Sequence, residues 1–500
     1  MKTDKFARRI VQINLPGKGS QPIEAGKALH MAETWIAKRF YSPAITLLNQ
    51  LIKAIPTYDR AWIGLFSVYE KNSDWPQLEQ AATTALQQVP KMVPALLSLA
   101  VAKRQLQKYE QAINSIEKAI KLEPKLSELH NVRGIIYKEL GQKEEALRAF
   151  KRALTLKPSN IAALWNQSDL VGVLDQQQAS KYLSLADSGK LSARNRAKVY
   201  YALARSAEAQ QDYTQEYELV NKGATLMNEL SGYDHAKEMA QTEQIRTQFS
   251  AQTEAASIAT SKDSAASTPI FICGLPRSGT TLVEQIISSH LAVIAGDELS
   301  ALPLAAGKLL SRKRLSDDFP LWANKLDAQD WQTLGELYIQ STQSLQSQRY
   351  FTDKNLMNYK AIGVIRRALP QAKIIVCHRN KADNLWGCYR QYFADGLSFT
   401  YDLDVLGDVY DAFEDLVDYW KQSAGPNESL LDIQYESLVE NPEQQIKRLL
   451  EYLGLEWDEA CLSFHQNRRA VRTTSSTQVR QPLSASKVGY ASRYPDFPYN

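Results

Sequence analysis

Gly274-Leu-Pro-Arg-Ser-Gly279, followed by Thr280 and Thr281, carries the residue types that hold an anion. Glycines let a backbone turn so that its N–H groups face inward, an arginine supplies a charged fork, and hydroxyls add further donors. Just before this stretch, Ile270, Phe271 and Ile272 form a short apolar run of the buried-strand kind, and just after it Leu282, Ile286 and Ile287 fall at helical spacing. Strand, glycine-bounded loop and helix is the arrangement that aims a row of backbone N–H groups and a helix N-terminus at a bound anion. Gly274, Pro276, Arg277, Ser278, Gly279, Thr280 and Thr281 are therefore the first candidate ligands.

The glycine spacing matches the phosphate loop GxxxxGK[ST], with Thr280 where that loop has lysine. In a nucleoside-triphosphate site the lysine reaches the transferred phosphate and the next hydroxyl holds magnesium. Here the charge has moved into the loop as Arg277. A single 5′-phosphate with a transferable group needs no metal clamp, and backbone amides, hydroxyls and one arginine suffice to hold it. A hydrolase or kinase is disfavoured by the missing lysine and the lack of a clear magnesium carboxylate. A non-catalytic reading, in which a scaffold carries a nucleotide-binding domain, stays open.

The elements around the loop read as an α/β domain from Pro269 onward, in which short apolar runs alternate with helical patterns. A short strand at 292–294 leads to the turn Ala295-Gly-Asp-Glu298, which opens a helix. A helix at 329–346 leads to Tyr350-Phe-Thr-Asp-Lys354, a helix covers 359–369, and Lys373-Ile-Ile-Val-Cys-His-Arg379 is a buried strand. A strand at 429–433 and a helix at 442–453 follow, and the tail from Gln466 is irregular and basic. Taken alone, Glu298 is a first-turn carboxylate favoured by the helix dipole, with Asp297 beside it. Lys354 is a strand-end lysine with Asp353 as a neighbour, and Arg379 ends a strand where α/β sheets bind ligands. His290 and His378 read as structural, with a site role left open for His378 by its place beside Arg379.

The first half has a period. Pro56, Pro90, Pro124 and Pro158 fall 34 residues apart, each closing a helical phrase. Ala32, Ala100 and Gly134 stand 24 residues before the closing proline, Ala44, Ala112 and Ala146 stand 12 before it, and Ala85, Ala119 and Ala153 stand 5 before it. Small residues at these points let antiparallel helices approach, while Trp62, Tyr69, Tyr137 and Phe150 fill the space between repeats. The pattern resembles the tetratricopeptide repeat. The expected organisation is a helical array at 24–250, clear over 24–158 and degenerate over 159–250, then an Ala/Ser/Thr-rich linker at 251–268 and the α/β domain at 269–500.

Composition bounds the function. In 500 residues, 44% hydrophobic and 23% charged, a net charge of +4 gives no reason to expect a nucleic-acid partner. Cys273, Cys377, Cys388 and Cys461 show no metal-ligand spacing, and a reducing compartment is the simplest setting. No apolar run approaches membrane-spanning length and no signal peptide follows the basic start, so the expectation is a cytoplasmic protein without a membrane partner.

Leu275-Pro-Arg-Ser-Gly-Thr-Thr-Leu282 after an apolar strand resembles the 5′-phosphosulfate loop of sulfotransferases that use 3′-phosphoadenosine 5′-phosphosulfate (PAPS). It is most similar to the tyrosylprotein sulfotransferases and to bacterial proteins that join tetratricopeptide repeats to such a domain. The resemblance implies a multidomain fold: an N-terminal all-α repeat solenoid and a C-terminal α/β P-loop-like sulfotransferase domain with a parallel sheet. It implies PAPS as donor, 3′,5′-ADP as product and no metal. It assigns Arg277 to the 5′-phosphosulfate, Glu298 to the catalytic base, Lys354 to the bridging oxygen and Arg379 to the 3′-phosphate. Gln478-Val-Arg480-Gln-Pro482 resembles the phrase that closes over the nucleotide. The implied reaction is in-line transfer to a hydroxyl, with protein tyrosine favoured and a glycan, lipid or small-molecule hydroxyl compatible with the same motifs; the repeats suit a peptide or protein, either the acceptor or a separate partner, and dimerisation is left open. Gly387 stands where the family has a serine on the 3′-phosphate, and Gly489-Tyr-Ala-Ser-Arg-Tyr494 replaces a glycine-basic-tryptophan phrase. Lys354 is followed by Asn355-Leu356 instead of an apolar-proline pair. These departures move the 3′-phosphate grip toward Arg390, Arg480 or Arg493.

Overall fold

The computed structural model describes residues 4–15, 19–250, 267–393, 396–424, 430–467, 469 and 478–499. They form two compact units, 1–170 and 171–500.

The first unit turns the sequence period into geometry. Helices of 13 and 14 residues alternate: Ala25–Ala37 with Tyr41–Ala54, Asp59–Lys71 with Trp75–Gln88, Val93–Gln105 with Tyr109–Leu122, and Ser127–Glu139 with Lys143–Leu156. Turns of three residues join the two helices of each pair, and four residues separate one pair from the next. Such short turns force antiparallel neighbours. The in-register alanines are buried completely. At Gly134 a Cβ would stand 2.4 Å from the Phe150 ring, so this position must lack a side chain for the fourth pair to close. The closing prolines leave carbonyls that later side chains use: Trp62 Nε1 donates to the Pro56 carbonyl, and His130 Nε2 lies at hydrogen-bond distance from that of Pro124, both at 2.9 Å.

One element before the array was not expected. Strand β1 (Ile10–Leu15) pairs antiparallel with β2 (Gly19–Glu24). Val11 and Ile13 point inward and join the apolar cluster of the first helices. A repeat array has an open apolar end, and this hairpin covers it.

The second unit begins earlier than the sequence pattern suggests. Helices Gln176–Asp187, Ala193–Ala209, Tyr213–Ser231 and His235–Gln248, expected to continue the array, lie within it. The reason is what covers their faces. Tyr201 Oη donates to the Tyr389 carbonyl (3.2 Å), Tyr217 stacks on Trp386, and Lys360 pairs with Glu238. Phe249 is buried so tightly beneath Gly363 that a Cβ there would lie 2.4 Å from its ring. Of the expected linker 251–268, residues 251–266 lie outside the described residues, and Thr268 already starts a strand. Of the tail from Gln466, positions 468 and 470–477 also lie outside them.

The sheet of the second unit has five parallel strands: β3 (Thr268–Gly274), β4 (Val293–Ile294), β5 (Tyr350–Lys354), β6 (Lys373–His378) and β7 (Leu430–Gln434). Their spatial order is β4-β5-β3-β6-β7. The chain leaves β3 toward one edge, returns through β5, and crosses to the other side at β6. Its switch point therefore lies at the carboxyl end of β3, where α/β sheets bind ligands. Helix Pro442–Leu453 lays Ile446, Leu449, Leu450 and Leu453 on the sheet, as their spacing indicates. Among the described residues, no helix is long and apolar enough to cross a membrane.

Candidate active site

The loop after β3 is built from two glycines and one strained residue. Gly274 has φ +147°, and a Cβ there would lie 2.5 Å from the Cys377 carbonyl oxygen of the neighbouring strand. Gly279 (φ +102°) caps the helix Thr280–Ile287. Arg277 between them takes a left-handed conformation, φ 67°. A non-glycine residue held there costs of order 1–3 kcal/mol and requires support from its surroundings. That support is present: the Arg277 carbonyl accepts from Arg379 Nη1 (3.1 Å), and the preceding Pro276 carbonyl accepts from Asn384 Nδ2 (3.0 Å) and Cys388 Sγ (3.0 Å). The Arg277 guanidinium bonds Gln478 Oε1 (3.0 Å), which brings the late Gln478–Pro482 phrase to the loop. Burial, and Arg379 and Arg390 nearby, pull the Arg277 guanidinium down to about 10. An anion beside Arg277 would offset that cost.

The sheet register places the other candidates on the same edge. Ile272 pairs with Lys354 and Gly274 with Cys377, so Lys354 and Arg379 flank the loop at the ends of β5 and β6. Lys354 Nζ donates to Glu298 Oε1 at 2.6 Å, with the lysine side chain 1% and the glutamate 54% exposed. Glu298 precedes the helix Ala301–Lys313 instead of lying in its first turn. Arg379 lies over the Tyr435 ring and donates from Nη2 to the Lys487 carbonyl (2.7 Å). A Cβ on Gly387 would sit 3.4 Å from Arg277 Cβ and 3.9 Å from Arg379 Nη1, so the position lies between the two arginines. Thr280 and Thr281 are buried in the first turn of the loop helix. The buried Ser278 Oγ and Arg379 Nε have no hydrogen-bond partner among the described residues. Unsatisfied buried donors are costly, and together with the glycine cradle they fit an anionic nucleotide.

Residues 269–459 match the sulfotransferase family model, and residues 93–126 and 127–160 match two tetratricopeptide-repeat models. The second unit carries a sulfotransferase-family domain. An uncharacterised protein of Aquifex aeolicus (strain VF5) is 27% identical over 363 residues, 71% of this chain and 47% of its own. Protein-tyrosine sulfotransferase 1 of Danio rerio is 27% identical over 200 residues, 39% of this chain and 55% of its own. The chain spans about half the length of these curated relatives. Among solved structures, the sulfotransferase domain of the Synechococcus PCC 7002 olefin synthase is 19% identical, covering 47% of this chain and 97% of that one, with a TM-score of 0.31. A thermophilic tetratricopeptide-repeat protein of Thermus thermophilus is 20% identical, covering 40% and 98%, with a TM-score of 0.27.

Two acidic residues compete for attention beside Lys354 in the sulfotransferase domain, and their environments separate them. The Asp297 carboxylate is buried and committed to Arg469 Nη1 (2.8 Å). The same guanidinium bonds Glu284 Oε2 (3.0 Å) and Gln285 Oε1 (2.7 Å) on the loop helix. Glu284 Oε1 in turn accepts from the Asp297 N–H (3.1 Å) and Thr352 Oγ1 (2.6 Å). The Lys354 N–H donates to the Asp297 carbonyl (3.0 Å), which ties the 296–298 turn to the end of β5. This network fixes the turn from which Glu298 projects, and leaves Glu298 as the carboxylate in contact with Lys354. Neither Glu284 nor Arg469 was singled out in the sequence. Their one legible signal was a charged residue on the inward face of the loop helix, at Glu284.

The remaining candidates divide. Arg480 donates to the Arg469 carbonyl (3.0 Å), at the margin of the same network. Arg390 is paired with Glu208 and Glu216, and Arg493 lies over the Tyr213 and Tyr490 rings. His378 is structural: burial opposes its charge, but hydrogen bonds to Asp432 and Glu414, both at 3.0 Å, outweigh that and lift it to about 9. Burial pushes Asp353 up to about 7, where Tyr338 and Asn358 hold it beneath the sheet edge.

Proposed function

We propose that the second unit transfers a sulfuryl group from PAPS to an acceptor hydroxyl, with a protein tyrosine as the acceptor. The observation that carries this is the convergence of the Arg277 loop, Arg379 and the Lys354–Glu298 contact on one sheet edge within a sulfotransferase-family domain. The tyrosine acceptor rests on the likeness to protein-tyrosine sulfotransferases.

PAPS supplies the sulfuryl group and departs as 3′,5′-ADP. The loop N–H groups, Ser278 Oγ, Thr280 and Thr281 bind the 5′ end, and Arg277 adds the charge that the loop's lysine would otherwise supply. Arg379 holds the 3′-phosphate. Glu298 takes the proton of the acceptor hydroxyl at its exposed carboxylate, so that the oxygen attacks sulfur opposite the leaving group. Lys354 Nζ neutralises the charge left on the bridging oxygen when the sulfur–oxygen bond breaks. Its near-complete burial strengthens that interaction and keeps water from it.

The test is ligand stabilisation of the full chain, since a ligand that binds only the folded state raises its melting temperature. The expected result is stabilisation by 3′,5′-ADP, none by ATP with magnesium, and loss of the effect in Arg277→Ala. Stabilisation by ATP with magnesium alone would overturn the reading in favour of a triphosphate site.

A further inference from the structure

The helices at 193–231 look dispensable to a sulfotransferase domain, yet they hold the segment that touches Arg379. Arg379 Nη2 donates to the Lys487 carbonyl (2.7 Å), so the guanidinium's direction depends on where residues 487–494 lie. That segment is gripped from two sides. On one side, Asp383 accepts from the N–H groups of Gly489 (2.7 Å) and Ala491 (2.8 Å). On the other, Glu208 of the helix Ala193–Ala209 accepts from Lys487 Nζ (2.7 Å) and Tyr490 Oη (2.7 Å), and also pairs with Arg390. The grip from the helices is charged and partly buried. Burial opposes ionisation of Glu208, but Arg390 and Lys487 outweigh it and hold the carboxyl well below the usual range. Glu216, one helix further on, accepts from Tyr494 Oη (2.6 Å) and secures the segment's far end.

We propose that Glu208 is a positioning residue for nucleotide binding: by holding Lys487 and Tyr490 it fixes the segment that orients Arg379 toward the donor's 3′-phosphate. This rests on the PAPS reading above. Its consequence is that helices whose sequence has drifted from the repeat consensus serve the donor site of the second unit, and the weak point left by Gly387 is compensated through them.

The experiment compares 3′,5′-ADP with 5′-AMP, which lacks the 3′-phosphate, by titration calorimetry on the full chain. Glu208→Gln keeps the shape and removes the charge. The expected result is a loss of about tenfold in 3′,5′-ADP affinity, the size of one charge-assisted hydrogen bond, with 5′-AMP affinity unchanged. Glu208→Asp, which keeps the charge, retains most of the affinity. Tyr490→Phe removes only the segment's hydroxyl and moves the ratio of the two affinities in the same direction by a few-fold, which keeps the test open if Glu208→Gln folds poorly. Glu238→Gln breaks the pair with Lys360 elsewhere in the same helical region and leaves both affinities as in the parent. Equal losses for the two nucleotides, or the same loss in Glu238→Gln, would overturn the proposal and make Glu208 a stabilising residue only. Unchanged 3′,5′-ADP affinity in both Glu208→Gln and Tyr490→Phe would also overturn it, and would leave the PAPS reading standing. A parent chain that binds 5′-AMP as tightly as 3′,5′-ADP would overturn both.

Discussion

In the repeats of the first unit one position does the same job several times; at the sheet edge of the second unit every position is used once. The left-handed turn residue inside each helix pair recurs as Arg39, Ser73, Gln107 and Gly141, with φ of 62°, 54°, 60° and 76°. Three side chains hold a conformation that glycine adopts at no steric cost, and each of the four turns closes one helix pair. By contrast, Gly274, Arg277, Lys354 and Glu298 have no equivalents in the repeats, and Arg277 and Lys354 meet partners far away in sequence. Repetition distributes a requirement, so that substitutions cost stability in small amounts. A site concentrates it, so that one substitution removes the function and leaves the fold.

That contrast predicts where substitutions do damage. Of three substitutions away from the base, the largest effect belongs to Lys354→Met: transfer falls by about 10²–10³-fold, the usual cost of losing one oriented charge at a developing anion, while 3′,5′-ADP binding survives. Steady-state transfer and nucleotide titration on the same preparation check it. If Lys354→Met abolishes both, the lysine is part of the binding cradle and the division between site and scaffold is drawn in the wrong place. Next comes Gly134→Val, which forces a side chain against the Phe150 ring. It costs the first unit about 1–3 kcal/mol by overpacking, seen as a lowered melting transition with unchanged 3′,5′-ADP affinity. The smallest effect is a gain. Gly387→Ser adds a Cβ in ordinary contact with Arg277, 3.4 Å from its Cβ, and one hydrogen bond of about 1 kcal/mol from its hydroxyl raises 3′,5′-ADP affinity several-fold.

The same contrast explains what was legible in the sequence. Prolines at a fixed interval and alanines in register announced the helix pairs, because each repeat restates the rule. The helix Pro442–Leu453 was read to the residue, since proline opens it and Gly454 closes it in the left-handed conformation, φ 62°. The loop was legible because its geometry is local: Gly274, Arg277 and Gly279 make the turn within six consecutive residues. Arg469 and Glu208 were not, because they act across 185 and 282 residues of chain on partners that no spacing rule connects. The helices at 176–248 misled for a related reason. Their pattern is that of paired helices, and which surface covers a helical face is decided by side chains such as Trp386 and Tyr389, far along the chain. The first hairpin was missed because the alternation at Val11 and Ile13 spans only a few residues.

The central claim is that Glu298, and not the neighbouring Asp297, removes the acceptor proton. The most direct measurement is transfer of ³⁵S from labelled PAPS to a tyrosine-containing peptide and to a simple phenol, by the parent, Glu298→Gln and Asp297→Asn. The account predicts transfer by the parent and a loss of about 10²–10⁴-fold in Glu298→Gln, the range for a positioned general base, with 3′,5′-ADP affinity intact and a smaller loss in Asp297→Asn. Transfer that Glu298→Gln leaves undiminished, or a parent that labels neither phenolic hydroxyl, would contradict it.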